Sequence, residues 1–182
     1  AVRDSGAIIV GAGGSGRAGC NSARTKLSFS TYGSRVDVHG WGECVWTTSY
    51  GDLFQDPDNI SDEDRWYTSQ FSGTSSASPF VAAAAANIQG IAINEFGSPL
   101  EPSDVRELLI ETGLPQQGDT TQKIGPLVNL RAAIDKLLQK SSNSHKSKSS
   151  KKGNTTETKS TKSTKSTKST KSTKSAKSSK SR

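Results

Sequence analysis

Hydrophobic and polar positions alternate on two different scales along this chain. The first stretches are short. Ala7-Ile8-Ile9-Val10-Gly11 carries no polar side chain, which is the pattern of a strand buried on both faces in a parallel sheet. Residues 35–38 and 43–48 are rich in valine and predict two more short strands, separated by a turn at Gly40-Trp41-Gly42. Tyr67 to Phe71 predicts an extended segment. After Phe71 the scale lengthens. Ser75–Phe96 is dominated by alanine and isoleucine and predicts a long helix. Pro102–Thr112 opens on proline, sets Val105, Leu108 and Leu109 behind Ser103, and is stopped by Gly113, so it predicts an amphipathic helix of an outer layer. Leu127–Leu138 predicts a third helix. Together these elements predict an α/β domain.

Charge divides the chain in two. Residues 1–139 hold 10 Lys and Arg against 16 Asp and Glu, a net charge of −6, whereas residues 140–182 hold 14 against one, a net of +13. The overall +7 therefore belongs to the tail and describes nothing about the domain. From Lys159 to Lys180 lysine recurs at every third position among serine and threonine. Such a segment has no apolar surface to bury against its ordering entropy, so it is expected to be disordered. Two readings stand side by side: a solvated repeat tail, or an electrostatic tether to acidic polymers, anionic lipid or nucleic acid. With no aromatic residues interleaved, the tail offers no base-stacking platform. No apolar stretch reads as a membrane span. The chain contains no methionine and begins Ala1-Val2-Arg3, so a truncated record is expected.

The candidate chemistry lies in Gly73-Thr74-Ser75-Ser76-Ala77-Ser78-Pro79. Gly73 and Thr74 read as the turn into the long helix, with Ser75 at its start and Pro79 in its first turn, where a missing N–H is tolerated. Unpaired N–H groups and the positive end of the helix dipole would stabilise an oxyanion forming beside Ser75. A serine that only caps an alanine-rich helix would look similar in isolation.

The longer string separates the two. Gly-Thr-Ser-x-Ala-x-Pro followed by Ala82-Ala83 resembles the nucleophile signature of the subtilisin-like serine proteases, with every signature position filled. Its neighbours resemble the same family in order: the strand at residues 7–12, the Ser-Phe-Ser stretch at 27–33, Val36-Asp37-Val38-His39-Gly40-Trp41-Gly42, the helix at 100–109, and the closing segment from Ile124 to Leu130. His39-Gly40-Trp41 departs from the family's x-Ala-Pro. The resemblance covers residues 7 to 139 and implies the C-terminal part of a parallel-sheet sandwich, residues 1–139, followed by the tail, residues 140–182.

That resemblance also implies a set of partners. Family members order their triad Asp, His, Ser, so the base and its orienting carboxylate should precede Ser75, as should an oxyanion Asn. His39 precedes it but occupies a non-catalytic position, where it reads as a loop or pocket-wall residue. Asp37 matches a structural aspartate, Asp4 lies in the lead-in to the first strand, Gly13-Gly14 falls outside the oxyanion turn, and His145 lies in the tail. Ser75 remains as nucleophile and, through its backbone N–H, as one oxyanion donor supported by Thr74. The expectation is a serine endopeptidase acting on polypeptides through an acyl-enzyme, secreted and monomeric, with the 182 residues inactive alone. The alternative is an inactive remnant that binds through its tail. A parallel sheet cut midway is also expected to expose an edge that favours aggregation.

No cofactor is required by this chemistry. Six acidic residues (Asp52, Asp56, Asp58, Asp62, Glu63 and Asp64) lie between Gly51 and Trp66 and suit either a structural calcium ion or an acidic surface loop, though the usual calcium-loop spacing is missing. Cys20 and Cys44 are either a disulfide, as suits a secreted protein, or two buried thiols. Their spacing does not resemble a zinc site. Asn59-Ile60-Ser61 and Asn154-Thr155-Thr156 are glycosylation sequons.

Overall fold

Two parallel strands form the floor of the molecule. In the computed structural model, which describes residues 4–139, β1 (Val10–Gly13) pairs with β2 (Val38–Trp41) in the register Val10 to Val38 and Gly13 to Trp41. Alternation assigns the faces. Ala12 packs with Ala77, and Val38 joins the main core. On the opposite face Gly11 meets Ile124 and Gly13 meets His39 so closely that neither has room for a side chain. The helix α1 (Thr74–Phe96) lies on the first face, with α2 (Pro102–Thr112) beside it. Residues 130–139 form a third helix, α3, whose first turn is capped by the Asn129 carboxamide accepting from the Ala132 N–H at 3.2 Å. Val38, Val81, Ile88, Leu108, Leu109 and Leu137 from these elements make one apolar cluster.

A second, antiparallel pair stands apart: β3 (Val45–Thr48) with β4 (Tyr67–Phe71), with a register irregularity between Val45 and Thr47. The long connection between them contains the 3-10 turn Glu63–Arg65. This hairpin leads from the end of β2 to the start of α1.

The sequence boundaries shift where backbone groups find other partners. The apolar run begins at Ala7, yet the ladder begins at Val10, because the Ile9 N–H donates to the Asp37 carboxylate at 2.8 Å. Gly40 and Trp41 were expected in a turn and are strand. A Cβ on Gly40 would sit 2.5 Å from the Ala77 carbonyl, so glycine marks the close approach of α1 to β2. The third helix starts at 130 rather than 127. Leu127 bridges to His39 and Leu114, and the Val128 N–H donates to the His39 carbonyl, which holds both residues in the sheet.

β1 has a single strand neighbour among the described residues, and its other side is met by the 25–30 segment: the Ala12 carbonyl accepts from the Leu27 N–H at 3.2 Å, the Ala12 N–H donates to the Ser30 hydroxyl at 2.8 Å, and Gly13 bridges to Lys26. α1 is long and apolar enough to cross a membrane by length and composition, a feature absent from the sequence expectation. Its buried line, Ala77, Val81, Ala84, Ile88 and Ala92, packs onto the sheet and α2 as a core helix does. The tail at 140–182 and its sequon at Asn154 lie outside the described residues.

Candidate active site

The turn that opens α1 is built on glycine. Gly73 stands at the N-cap with φ 110°, which a residue bearing a Cβ rarely adopts, and no side chain caps the helix. Its N–H donates to the Gly42 carbonyl at 2.8 Å. Ser76 supplies the second tie: its buried hydroxyl lies 2.9 Å from the Trp41 carbonyl and 2.9 Å from that of Gly73. The turn is thus hung from the C-terminal end of β2. Ser75, between these anchors, is exposed at the second helical position. With no cap, the N–H groups of Thr74 and Ser75 face outward from the positive end of a 23-residue helix. An exposed hydroxyl beside outward-facing donors suits attack on a carbonyl and capture of the resulting oxyanion.

Pro79 differs from its expected place. The helix starts at Thr74, so Pro79 is the sixth helical residue and not part of the first turn. Its missing N–H withholds the bond that the Ser75 carbonyl would otherwise accept. Ser76 was read from the sequence only as the variable position of the signature. A hydroxyl on the residue directly after Ser75 was the available signal.

His39 corrects another expectation. It lies inside β2, fully buried, and not in a loop or pocket wall. Its Nδ1 lies 2.8 Å from the Gly125 carbonyl, which fixes that nitrogen as the protonated one because a carbonyl only accepts. Nε2 is buried without a partner. Burial depresses the imidazole pKa, against the opposing pull of the Gly125 bond. His39 therefore gives Ser75 no general base. Asp37 accepts from the Ile9 N–H and pairs with Arg35 at 3.2 Å, tying two chain segments together. Asp4 forms a two-pronged pair with Arg106 at 2.6 and 2.8 Å, and that guanidinium holds its carboxyl below the usual range. Gly13 and Gly14 sit at the end of β1 and directly after it, and the Gly13 carbonyl accepts from the Gly42 N–H at 2.9 Å.

The cysteines pair. Cys20 and Cys44 form a disulfide that fastens the loop after β1 to the segment entering β3. Glu43 reinforces the loop, accepting from the Asn21 N–H at 2.7 Å and its carboxamide at 2.8 Å. In the acidic loop the carboxylates turn to local donors. Asp52 accepts from Ser69, Asp56 from the Asp58 N–H and Arg65, and Asp62 from the Asp64 N–H and Arg65. Among the described residues no three His, Cys, Asp or Glu side chains group as metal ligands would. Asn59 is exposed, with Ser61 donating to its carboxamide oxygen at 3.2 Å.

Comparison with known proteins places this geometry. The model of the subtilase family matches residues 4–154. Among solved structures, the chain resembles the patellamide maturation protease PatA with a TM-score of 0.52 and 22% identity, over 74% of this chain and 44% of that one. A mutant of the PatA protease domain matches with a TM-score of 0.52 and 21% identity, over 72% and 40%. The chain thus spans less than half the length of these structures. No curated protein matches it.

Proposed function

The chain belongs to the subtilase family, and we propose that it is the nucleophile-bearing part of a serine endopeptidase in which Ser75 attacks the peptide carbonyl. A histidine base takes the Ser75 proton, the acyl-enzyme forms with loss of the amine product, and water releases the acid product. The Ser75 N–H is one oxyanion donor, with Thr74 supporting the turn; an asparagine supplies the other. The observation that carries this reading is the exposed Ser75 hydroxyl at the uncapped start of α1, on a turn hung from Gly42 and Trp41. On this reading the base, its carboxylate and the asparagine come from outside the chain, which spans less than half the length of the PatA structures. The 182 residues alone are accordingly inactive, and polypeptides are the substrate class. The disulfide favours an oxidising, extracellular setting.

The charge of residues 140–182, net +13, favours a second role beside the first: retention on polyanions, without base-specific contacts. It is the basis of the alternative in which the parent is an inactive binding protein.

The test joins the genomic sequence preceding Ala1 to the chain and assays hydrolysis of an unfolded protein. The extended polypeptide should carry Asp-Ser/Thr-Gly and His-Gly-Thr motifs and cleave its substrate, and Ser75→Ala should lower kcat by about a million-fold. The 182-residue chain should show no Ser75-dependent cleavage. Absence of the two motifs, or cleavage indifferent to Ser75→Ala, overturns the reading.

A further inference from the structure

Two tryptophans beside the nucleophile turn are more exposed than tryptophan usually is. Trp41, at the end of β2, is 41% exposed and Trp46, on β3, is 59% exposed. With Phe80 and Val45 they bound a cavity of about 340 Å³ whose edge carries Ser15, Arg17 and Glu43. That volume lies at the small end of ligand sites and fits one side chain rather than a folded partner.

Its walls are held in place from outside. The Trp41 and Phe80 rings meet at 5.0 Å between centroids, tilted by 31°. The Arg17 guanidinium sits 4.6 Å over the Trp46 ring and donates to the Cys44 carbonyl at 2.8 Å, while Cys44 is bonded to Cys20. Cation–π contact, hydrogen bond and disulfide thus order the cavity before anything enters it, which lowers the entropy cost of binding. The charges at the edge are engaged already, since Glu43 is bound to Asn21 and Arg17 to Cys44 and Trp46. An uncharged guest is favoured, and three aromatic walls favour a ring over an aliphatic chain.

The cavity neighbours the turn that carries Ser75. The Trp41 carbonyl is the group that anchors Ser76, and Phe80 lies five residues along α1 from Ser75, a rise of roughly 7.5 Å at 1.5 Å per residue with a net rotation of about 140°. An extended polypeptide advances about 3.3 Å per residue, so a side chain two or three residues from the scissile bond would reach it. We propose that the cavity between Trp41, Trp46 and Phe80 is a subsite for an aromatic side chain of the polypeptide substrate. The identity of that ligand as a substrate rests on the peptidase reading of Ser75; the recognition of an aromatic ring does not.

The test is titration of the 182-residue chain with N-acetyl-phenylalaninamide, following the indole N–H resonances of its three tryptophans. Trp66 is the internal control, its indole N–H being bonded to the Ile60 carbonyl at 3.1 Å away from the cavity. Trp41 and Trp46 should shift saturably while Trp66 stays fixed, with a dissociation constant in the millimolar range. N-acetyl-leucinamide should bind at least five-fold more weakly, and Trp46→Ala should weaken the phenylalanine probe at least ten-fold. Phe80→Leu, which keeps apolar volume and removes a ring, should weaken it about three-fold. Shifts that are linear, that include Trp66, that are equal for the two probes, or that survive Trp46→Ala overturn the subsite. If binding behaves as stated but the extended polypeptide does not cleave, the peptidase reading fails and the aromatic site stands. If it cleaves with a kcat/KM for aromatic-containing peptides unchanged by Trp46→Ala, the subsite alone fails.

Discussion

α1 and α2 pack against each other, and they differ in how completely their sequences are used. In α2 the pattern closes except at Ile110, which is exposed. Val105, Leu108 and Leu109 are buried, and Ser103, Asp104 and Glu107 face outward. α1 is apolar nearly all round, yet one line of it is buried, and Ala82, Ala83, Ala86 and Ile93 are exposed. A helix apolar on every face belongs inside a larger core. Beside it, Ile8, Ile9 and Val10 line a groove of about 420 Å³ with Ser78, Val81, Ala82 and Ala85. α2 is a surface helix with one apolar side buried, whereas α1 leaves much of its apolar surface uncovered in this chain.

The contrast predicts that substitutions obey α2's pattern strictly. Leu109, fully buried in the shared cluster, should cost about 2–5 kcal/mol when replaced by alanine, through lost transfer energy and a cavity. Glu107→Ala on the exposed side should change stability by less than about 0.5 kcal/mol. Urea unfolding followed by circular dichroism measures both. Equal effects from the two would show that α2 is not packed as described, and the contrast with α1 would collapse.

α1 packs on one face of the β1–β2 sheet, so pH should act mainly through the other, where His39 lies. Its native pKa is depressed, chiefly by burial, and Arg24 is a charge that opposes protonation. Above the ordinary value of 6.5 the imidazole is neutral in both states and contributes no pH dependence. Below it, the unfolded chain binds a proton that the native state refuses. Stability should therefore fall as pH drops from about 6.5, by up to about 1.4 kcal/mol per unit, until the native pKa is reached. The carboxylates held low, including Asp4, Asp52 and Asp56, lose their contributions only in more acid solution. His39→Leu should flatten the pH 5–6.5 part of the profile in urea titrations. A slope unchanged by that substitution would assign it to another group.

How far these features were legible depends on whether their cause is local. The strand character of β1, the bounds of α2 and the position of Ser75 follow from runs and spacings of a few residues. Gly40 did not yield to that reading, because glycine serves turns and close backbone approach alike. Ala77, the neighbour that decides between them, is 37 residues away. His39 was misplaced for the same reason: its partner, the Gly125 carbonyl, is 86 residues distant. The Cys20–Cys44 pairing was open because spacing alone does not fix whether two loops meet. The boundary of α3 moved because Leu127 and Val128 have apolar side chains suited to a helix but backbone groups engaged elsewhere, Leu127 by Leu114 and Val128 by His39 of β2.

The smallest expected effect tests the α1 side of the contrast most directly. Ala82 lines the groove beside Ile8, Ile9 and Val10 and is exposed, so Ala82→Glu places a carboxylate in water rather than in a core. Alanine and glutamate differ little in helix propensity, so the change should stay within about 0.5 kcal/mol in this chain. The same substitution in the extended polypeptide, where the apolar face would be covered, should bury an unpaired charge and lower the yield of folded protein severely. A loss above about 2 kcal/mol in the 182-residue chain would mean that something already covers the face in solution. Sedimentation velocity then identifies it: self-association relieved by Ala82→Glu would make the cover a second copy seated on this groove. A monomer with a large loss would instead place part of this chain in the groove, and the contrast between α2's buried apolar side and α1's uncovered one would no longer hold.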